Sequence, residues 1–350
     1  MEKTAYLILE NGKIFEGKSF GAEGTVTGEV VFSTAMIGYQ ETLCDQNYYG
    51  QIVVQTFPLI GNYGIIPADL GREKPVLRGY IVREVCDEPS NFRCEGKLDD
   101  FMKDNGVIGL YGIDTRALTR VLRENGVMNG IITTDKDAVD MEALKAYKGT
   151  GAVAATTEGK CYTVGKGKKK VGLLDLGMKI GLIEELTARD LTVNVYPADA
   201  DAKEMIAAND GFVLSEGPGD PTENEALIET VKALAESGKP IFGLGLGHQL
   251  LALAKGGKTL KLKYGHRGSN QPVKNIALEK VVVSSQNHGY TVDPEALPAS
   301  ASVSFVNAND GSVEGLTYSD IPAFSVQFTP ESKIGPHGTN RLYDEFAAKL

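Results

Sequence analysis

The spacing of apolar and polar positions changes midway along the chain. Before residue 150, short β-rich runs (Tyr6 to Leu9, Glu29 to Phe32, Gln51 to Phe57) alternate with Gly-containing turns, and one stretch, Thr115 to Arg123, has helical spacing. Residues 1–149 are therefore expected to form a mostly β domain supplemented by helices. From Val171 onward, apolar runs alternate with amphipathic stretches. Val171 to Leu174, Thr192 to Tyr196, Phe212 to Leu214 and Ile241 to Leu244 read as strands. Ile180, Ile183 and Leu186 mark one helical stripe, and Leu227, Ile228, Val231, Leu234 and Ala235 mark another. Strand and helix in alternation predict an α/β domain over 171–350, a mainly parallel sheet flanked by helices, with ligands at the carboxyl ends of its strands.

Between the two parts, residues 150–170 are small, polar and Gly-containing and end in Lys168, Lys169 and Lys170, a composition read here as a linker. Two domains agree with a length of 350 residues at roughly 150 per domain. Asp and Glu outnumber Lys and Arg by 46 to 36, so a general nucleic-acid-binding surface is not expected. No apolar run is long enough for a membrane span, and the start MEKTAYLILENGK lacks a basic region followed by a long apolar core. The expected location is cytoplasmic. Cys44, Cys86, Cys94 and Cys161 are spaced neither as zinc ligands nor as a CxxC pair, and read as free thiols.

The strand ending at Leu244 runs into GLGLGHQLLALAKGG, so the chain turns sharply at Gly245 and enters a helix near Gly247 or His248. Such an elbow lifts one side chain above a sheet and aims the next backbone N–H at a developing oxyanion. The segment resembles the class I glutamine amidotransferase motif G-x-C-x-G-H-Q. Its surroundings resemble the small subunit of carbamoyl phosphate synthetase along almost the whole chain. The first domain carries LILENGKIFEGKSFGAEGTVTGEVVF, MIGYQETLCD, GNYG, SNFR and GIDTRALTRVLRENGVMNG. The second carries SEGPGDP, KYGHRGSNQPV, SQNHGYTVD and QFTPES, in the family's order.

Hydrolysing a glutamine amide requires a thiolate, an imidazole to activate it, a carboxylate to orient the imidazole, and N–H donors for the oxyanion. The resemblance places these at positions 245, 329 and 331, with donors from Leu246 and the Gly217 loop. It has glutamine held by Asn47, Gly217, Gly219, Leu246, Gln249, Asn287, Gly289 and Tyr290. The departures fall on the reacting groups. Gly245 stands where the family has cysteine and Thr329 where it has histidine, so only Glu331 of the triad remains. A threonine hydroxyl does not titrate near neutral pH and cannot replace the base. Glu216 further replaces the usual asparagine beside the oxyanion loop, and Asn47 replaces a serine.

The resemblance thus implies a small subunit whose glutaminase half-reaction is disabled. It would support ammonia-dependent carbamoyl phosphate synthesis by a large ATP-grasp subunit. This chain would carry no cofactor, with ATP and Mg on the large subunit. The alternative is a non-catalytic glutamine-binding or regulatory module. Cys44 reads as inert rather than as a relocated nucleophile. His248, His266 and His288 read as structural or subunit-facing, because no companion ligand occurs at metal-site spacing. Asp114 or Thr115 is expected to cap the helix that follows.

Overall fold

The computed structural model describes residues 3–70, 74–331 and 338–350. Chain contacts divide it into two units, Met1–Gly149 and Thr150–Leu350.

In the first unit the elements run β1 (Thr4–Leu9), β2 (Ile14–Gly21), β3 (Val26–Ser33), α1 (Tyr39–Cys44), β4 (Gln51–Gln55), β5 (Leu59–Ile60), β6 (Gly79–Val82), β7 (Glu84–Val85), α2 (Leu98–Asp104), β8 (Ile108–Tyr111), α3 (Thr115–Asn125), β9 (Met128–Thr133) and α4 (Met141–Ala146). Seven of these strands close a barrel in the order β1-β2-β8-β6-β4-β3-β9, and β5 and β7 form a separate pair. Closure leaves no free edge. Of the two cap candidates, Asp114 caps α3, its carboxylate accepting from the Ala117 N–H at 2.9 Å. Leu118, Val121 and Leu122 are the buried face of that helix.

The second unit continues with α5 (Ala152–Thr156), β10 (Tyr162–Val164), β11 (Lys169–Asp175), α6 (Ile180–Thr187), β12 (Leu191–Pro197), α7 (Ala202–Ala208), β13 (Gly211–Leu214), α8 (Glu225–Glu236), β14 (Ile241–Leu244), α9 (Leu246–Ala254), β15 (Thr259–Asn275), β16 (Lys280–Val292), β17 (Ala301–Asn307), β18 (Val313–Tyr318), β19 (Ala323–Val326) and α10 (Arg341–Ala347). Ten strands form one sheet, ordered β10-β12-β11-β13-β14-β19-β18-β17-β15-β16. Its centre, β12-β11-β13-β14-β19, is parallel, and β18-β17-β15-β16 extend it antiparallel.

Alternation along the parallel strands builds a core on each face of this sheet. Phe212, Leu214 and Ile241 pack with Leu227, Val231 and Leu250 on one side. Val213, Phe242 and Leu244 pack with Leu182, Leu186 and Tyr343 on the other. Such double coverage produces the near-continuous apolar runs seen in the sequence. Strand order reverses between β11 and β13, so their carboxyl ends open the crevice where doubly wound sheets bind ligands.

Two expectations are corrected. Residues 150–170, expected as a linker, contain α5 and β10, and β10 pairs antiparallel with β12 through Tyr162, Thr163 and Val164. Two of the glycines there serve close packing: a Cβ on Gly165 would lie 2.5 Å from Leu191 O, and one on Gly167 would lie 1.6 Å from the Asp190 carbonyl oxygen. In α6 the buried residues are Leu182 and Leu186, whereas Ile180 is 45% exposed at the helix start. Among the described residues, no helix is long and apolar enough to cross a membrane.

Candidate functional site

The carboxyl ends of β11, β13 and β14 converge. β14 breaks at Gly245, whose φ of 50° and ψ of −109° lie in a region that side chains disfavour, and α9 starts at once with Leu246. The elbow is pinned by the Gly245 N–H to Val326 O at 2.9 Å and the Gly247 N–H to Ser215 O at 3.0 Å. After β13, Ser215 receives the Leu176 N–H on its hydroxyl, and Gly217 packs so closely that a Cβ there would lie 2.3 Å from Leu176 O. Gly219 follows with a φ of 92°.

The space above Gly245 belongs to Glu216. A Cβ built on Gly245 would meet the Glu216 Cβ at 2.8 Å and its Cα at 3.3 Å, inside any ordinary contact. Glu216 is 4% exposed. Its Oε2 accepts from Thr329 Oγ1 at 2.9 Å and from Lys179 Nζ at 3.1 Å, and Lys179 Nζ also donates to Thr329 Oγ1 at 3.3 Å. Lys179 stands at the N-cap position of α6, directly after a turn in which Asp175 Oδ1 accepts from the backbone N–H groups of Gly177 and Met178. Ammonium, carboxylate and hydroxyl thus close a compact polar cluster at the elbow. Sequence reasoning missed Lys179. Its signal is local: a lysine beside the strand end that faces the elbow.

Glu331 is also buried, and its Oε2 accepts from Tyr343 Oη at 2.5 Å. Burial, then the neighbouring Glu216 carboxylate, push its carboxyl up to about 8, against the opposing pull of the Tyr343 hydrogen bond and the Lys179 ammonium. Among the described residues, no imidazole is hydrogen-bonded to it. Ser332, the last residue of the QFTPES motif, lies outside the described residues.

Gln249, on the first turns of α9, spends both amide protons within the protein, on Tyr290 O at 2.7 Å and Gln327 Oε1 at 2.9 Å. Asn287 stands opposite Arg267 in the β15–β16 ladder, and Gly289 lies against the Arg267 guanidinium. Gln249, Tyr290, Gln327 and Gly245 are therefore linked around the elbow. Asn47 belongs to the first unit, in a turn of 3₁₀ helix capped by Asp45.

The other candidates have structural partners. Burial, followed by Glu41 and Asp45, pushes the Cys44 thiol up to about 12, so it stays protonated at neutral pH. His248 is fully buried against Ser325 Oγ at 2.7 Å, and burial lowers it to about 3, keeping it neutral. His266 bonds Asp310 at 2.8 Å, and His288 Nδ1 lies 2.7 Å from the Tyr290 carbonyl. Fold does bring these last two imidazoles a companion that sequence spacing hides, Glu314.

Comparison with known proteins agrees with this architecture. Residues 7–132 match the family described as carbamoyl-phosphate synthase small chain, CPSase domain, and residues 173–349 match glutamine amidotransferase class-I. The carbamoyl phosphate synthase small chain of Clostridium perfringens is 48% identical over 345 residues, covering 98% of each chain. That of Fusobacterium nucleatum is 47% identical, covering 98% of this chain and 97% of the relative. That of Bacillus caldolyticus is 47% identical, covering 98% and 96%. With the amidotransferase elbow and the preceding β-barrel unit both in place, this chain belongs to the carbamoyl phosphate synthase small chain family.

Proposed function

We propose that this chain is a carbamoyl phosphate synthase small subunit whose own glutaminase step is disabled, and that it supports ammonia-dependent synthesis by a large ATP-grasp subunit in the cytoplasm. The observation that carries this reading is the occupation of the elbow. Where acyl transfer needs a thiolate, Gly245 offers no side chain, and the Glu216–Thr329–Lys179 cluster fills the room a nucleophile would use. A carboxylate beside the elbow also opposes the negative charge that an oxyanion would develop. Thr329 supplies no base, and Glu331 is hydrogen-bonded to Tyr343, with no imidazole to orient among the described residues.

On this reading the chain's residues do no bond-breaking. They hold the amidotransferase frame that the large subunit recognises, and ATP and Mg act on that partner. A glutamine-binding module is the second reading, and Gln249 weighs against it, because both its donors are committed internally. Purified chain, alone and with a co-expressed large subunit, is to be assayed for glutamate release and for carbamoyl phosphate formation from glutamine or ammonium. Synthesis from ammonium with no glutamate release is expected. Brisk glutamate release would overturn the reading, and tight calorimetric glutamine binding without turnover would favour the module.

A further inference from the structure

We propose that His266, His288 and Glu314 form a zinc-binding site in the antiparallel part of the second unit. The site is independent of the disabled elbow. His266 on β15 and His288 on β16 are directly opposed in the ladder, with ring centroids 5.0 Å apart. Glu314 on β18 joins them, so that one ligand atom from each of the three residues lies within 4.8 Å of the others. His266 Nδ1 is 3.5 Å from Glu314 Oε1. Tetrahedral zinc with bonds of about 2.0–2.1 Å holds its donors roughly 3.4 Å apart. The His266–Glu314 pair is therefore already at metal spacing, and the remaining separations close by roughly 1.4 Å at most.

Each ligand is oriented from behind, as metal ligands are. His266 Nε2 bonds Asp310 Oδ2 at 2.8 Å, which leaves Nδ1 toward Glu314. His288 Nδ1 bonds the Tyr290 carbonyl at 2.7 Å, which leaves Nε2 as the ligand atom, with Gln286 Oε1 2.9 Å away. Glu314 Oε1 accepts from Asn307 Nδ2 at 3.0 Å. The fourth position falls to Gln286 Oε1 or a water.

One further observation calls for a cation. Glu314 is completely buried, and its Oε2 has no hydrogen-bond partner among the described residues, a costly state for a carboxylate oxygen. Two imidazoles and one carboxylate are a donor set that zinc accepts.

The test uses the full chain, stripped with chelator, its accessible cysteines blocked by alkylation, and titrated with zinc ion alone. Metal content after gel filtration and calorimetry read the result. One equivalent is expected at neutral pH. Asp310→Asn, at a side chain 43% exposed, should weaken zinc binding by roughly 10–100-fold, and Glu314→Gln should abolish the equivalent. Failure of the parent chain to retain zinc, or retention unchanged in both variants, overturns the proposal. Should Glu314→Gln fail to fold, cobalt(II) in the alkylated parent chain decides: four-coordinate nitrogen and oxygen absorption supports the site, and no visible absorption overturns it.

Discussion

Placing a thiol at position 245 probes the packing of the elbow directly. In Gly245→Cys the new Cβ lands 2.8 Å from the Glu216 Cβ and 3.3 Å from its Cα, so the loop after β13 must move. Overpacking of this kind costs about 1–3 kcal/mol. A non-glycine residue held at φ 50° and ψ −109° costs a further 1–3 kcal/mol or so. The sum, about 2–6 kcal/mol, corresponds to a fall in Tm on the order of 10 °C for a unit of this size. Scanning calorimetry reads the loss. Gly245→Ala separates sterics from sulfur, and it should lose nearly as much. Adding Glu216→Gly to Gly245→Cys removes the 2.8 Å contact and should recover part of the loss. Glutamate release should stay at background in Gly245→Cys and in Gly245→Cys with Thr329→His, because Glu216 still occupies the site. A Gly245→Cys variant melting within about 1 °C of the parent, or a double variant with brisk turnover, would refute the reasoning.

Three other outcomes are expected. Glu331 has a raised folded-state pKa of about 8, so the folded chain holds a proton that the unfolded chain has released above its ordinary value of 4.5. The stability linked to that proton is complete below pH 4.5 and is lost as pH rises toward 8, at up to roughly 1.4 kcal/mol per pH unit. Urea midpoints across that window should fall in the parent and flatten in Glu331→Gln. Lys179→Met leaves Glu216 buried without its cation. Breaking a buried pair costs about 3–5 kcal/mol, and discounting for the 30% exposure of Lys179 leaves roughly 2 kcal/mol, readable by urea denaturation at constant m. Alkylation followed by mass spectrometry should label the exposed Cys161 quickly in folded protein and Cys44 only after unfolding.

Elements with strong internal period were legible in the sequence. The runs at Val171, Phe212 and Ile241 became central strands because both faces of the sheet are covered, and of the two cap candidates Asp114 and Thr115 the fold uses Asp114. The segment 150–170 misled because glycine has two causes. At Gly167 it permits close approach to Asp190 O rather than flexibility. Ile180 fell outside the core because a stripe fixes relative angle, not which turn of the helix reaches the sheet. At the candidate site, glycine at 245 and threonine at 329 were visible in the sequence. What surrounds them was not, since Lys179 and Thr329 lie 150 positions apart and meet only through the fold. Glu314 was hidden for the same reason, being carried to the two histidines by a strand of its own.

The tightness around Gly247 has a consequence for how such a chain can change. A Cβ there would sit 2.3 Å from Leu214 O and 2.5 Å from Leu214 Cβ, between strand and helix, with no flexible neighbour to yield. Substitutions at the reacting positions alter chemistry but leave the crossing intact. A single methyl at Gly247 would pry helix from strand. Selection for docking alone, were catalysis relaxed, would still police that atom-scale clearance.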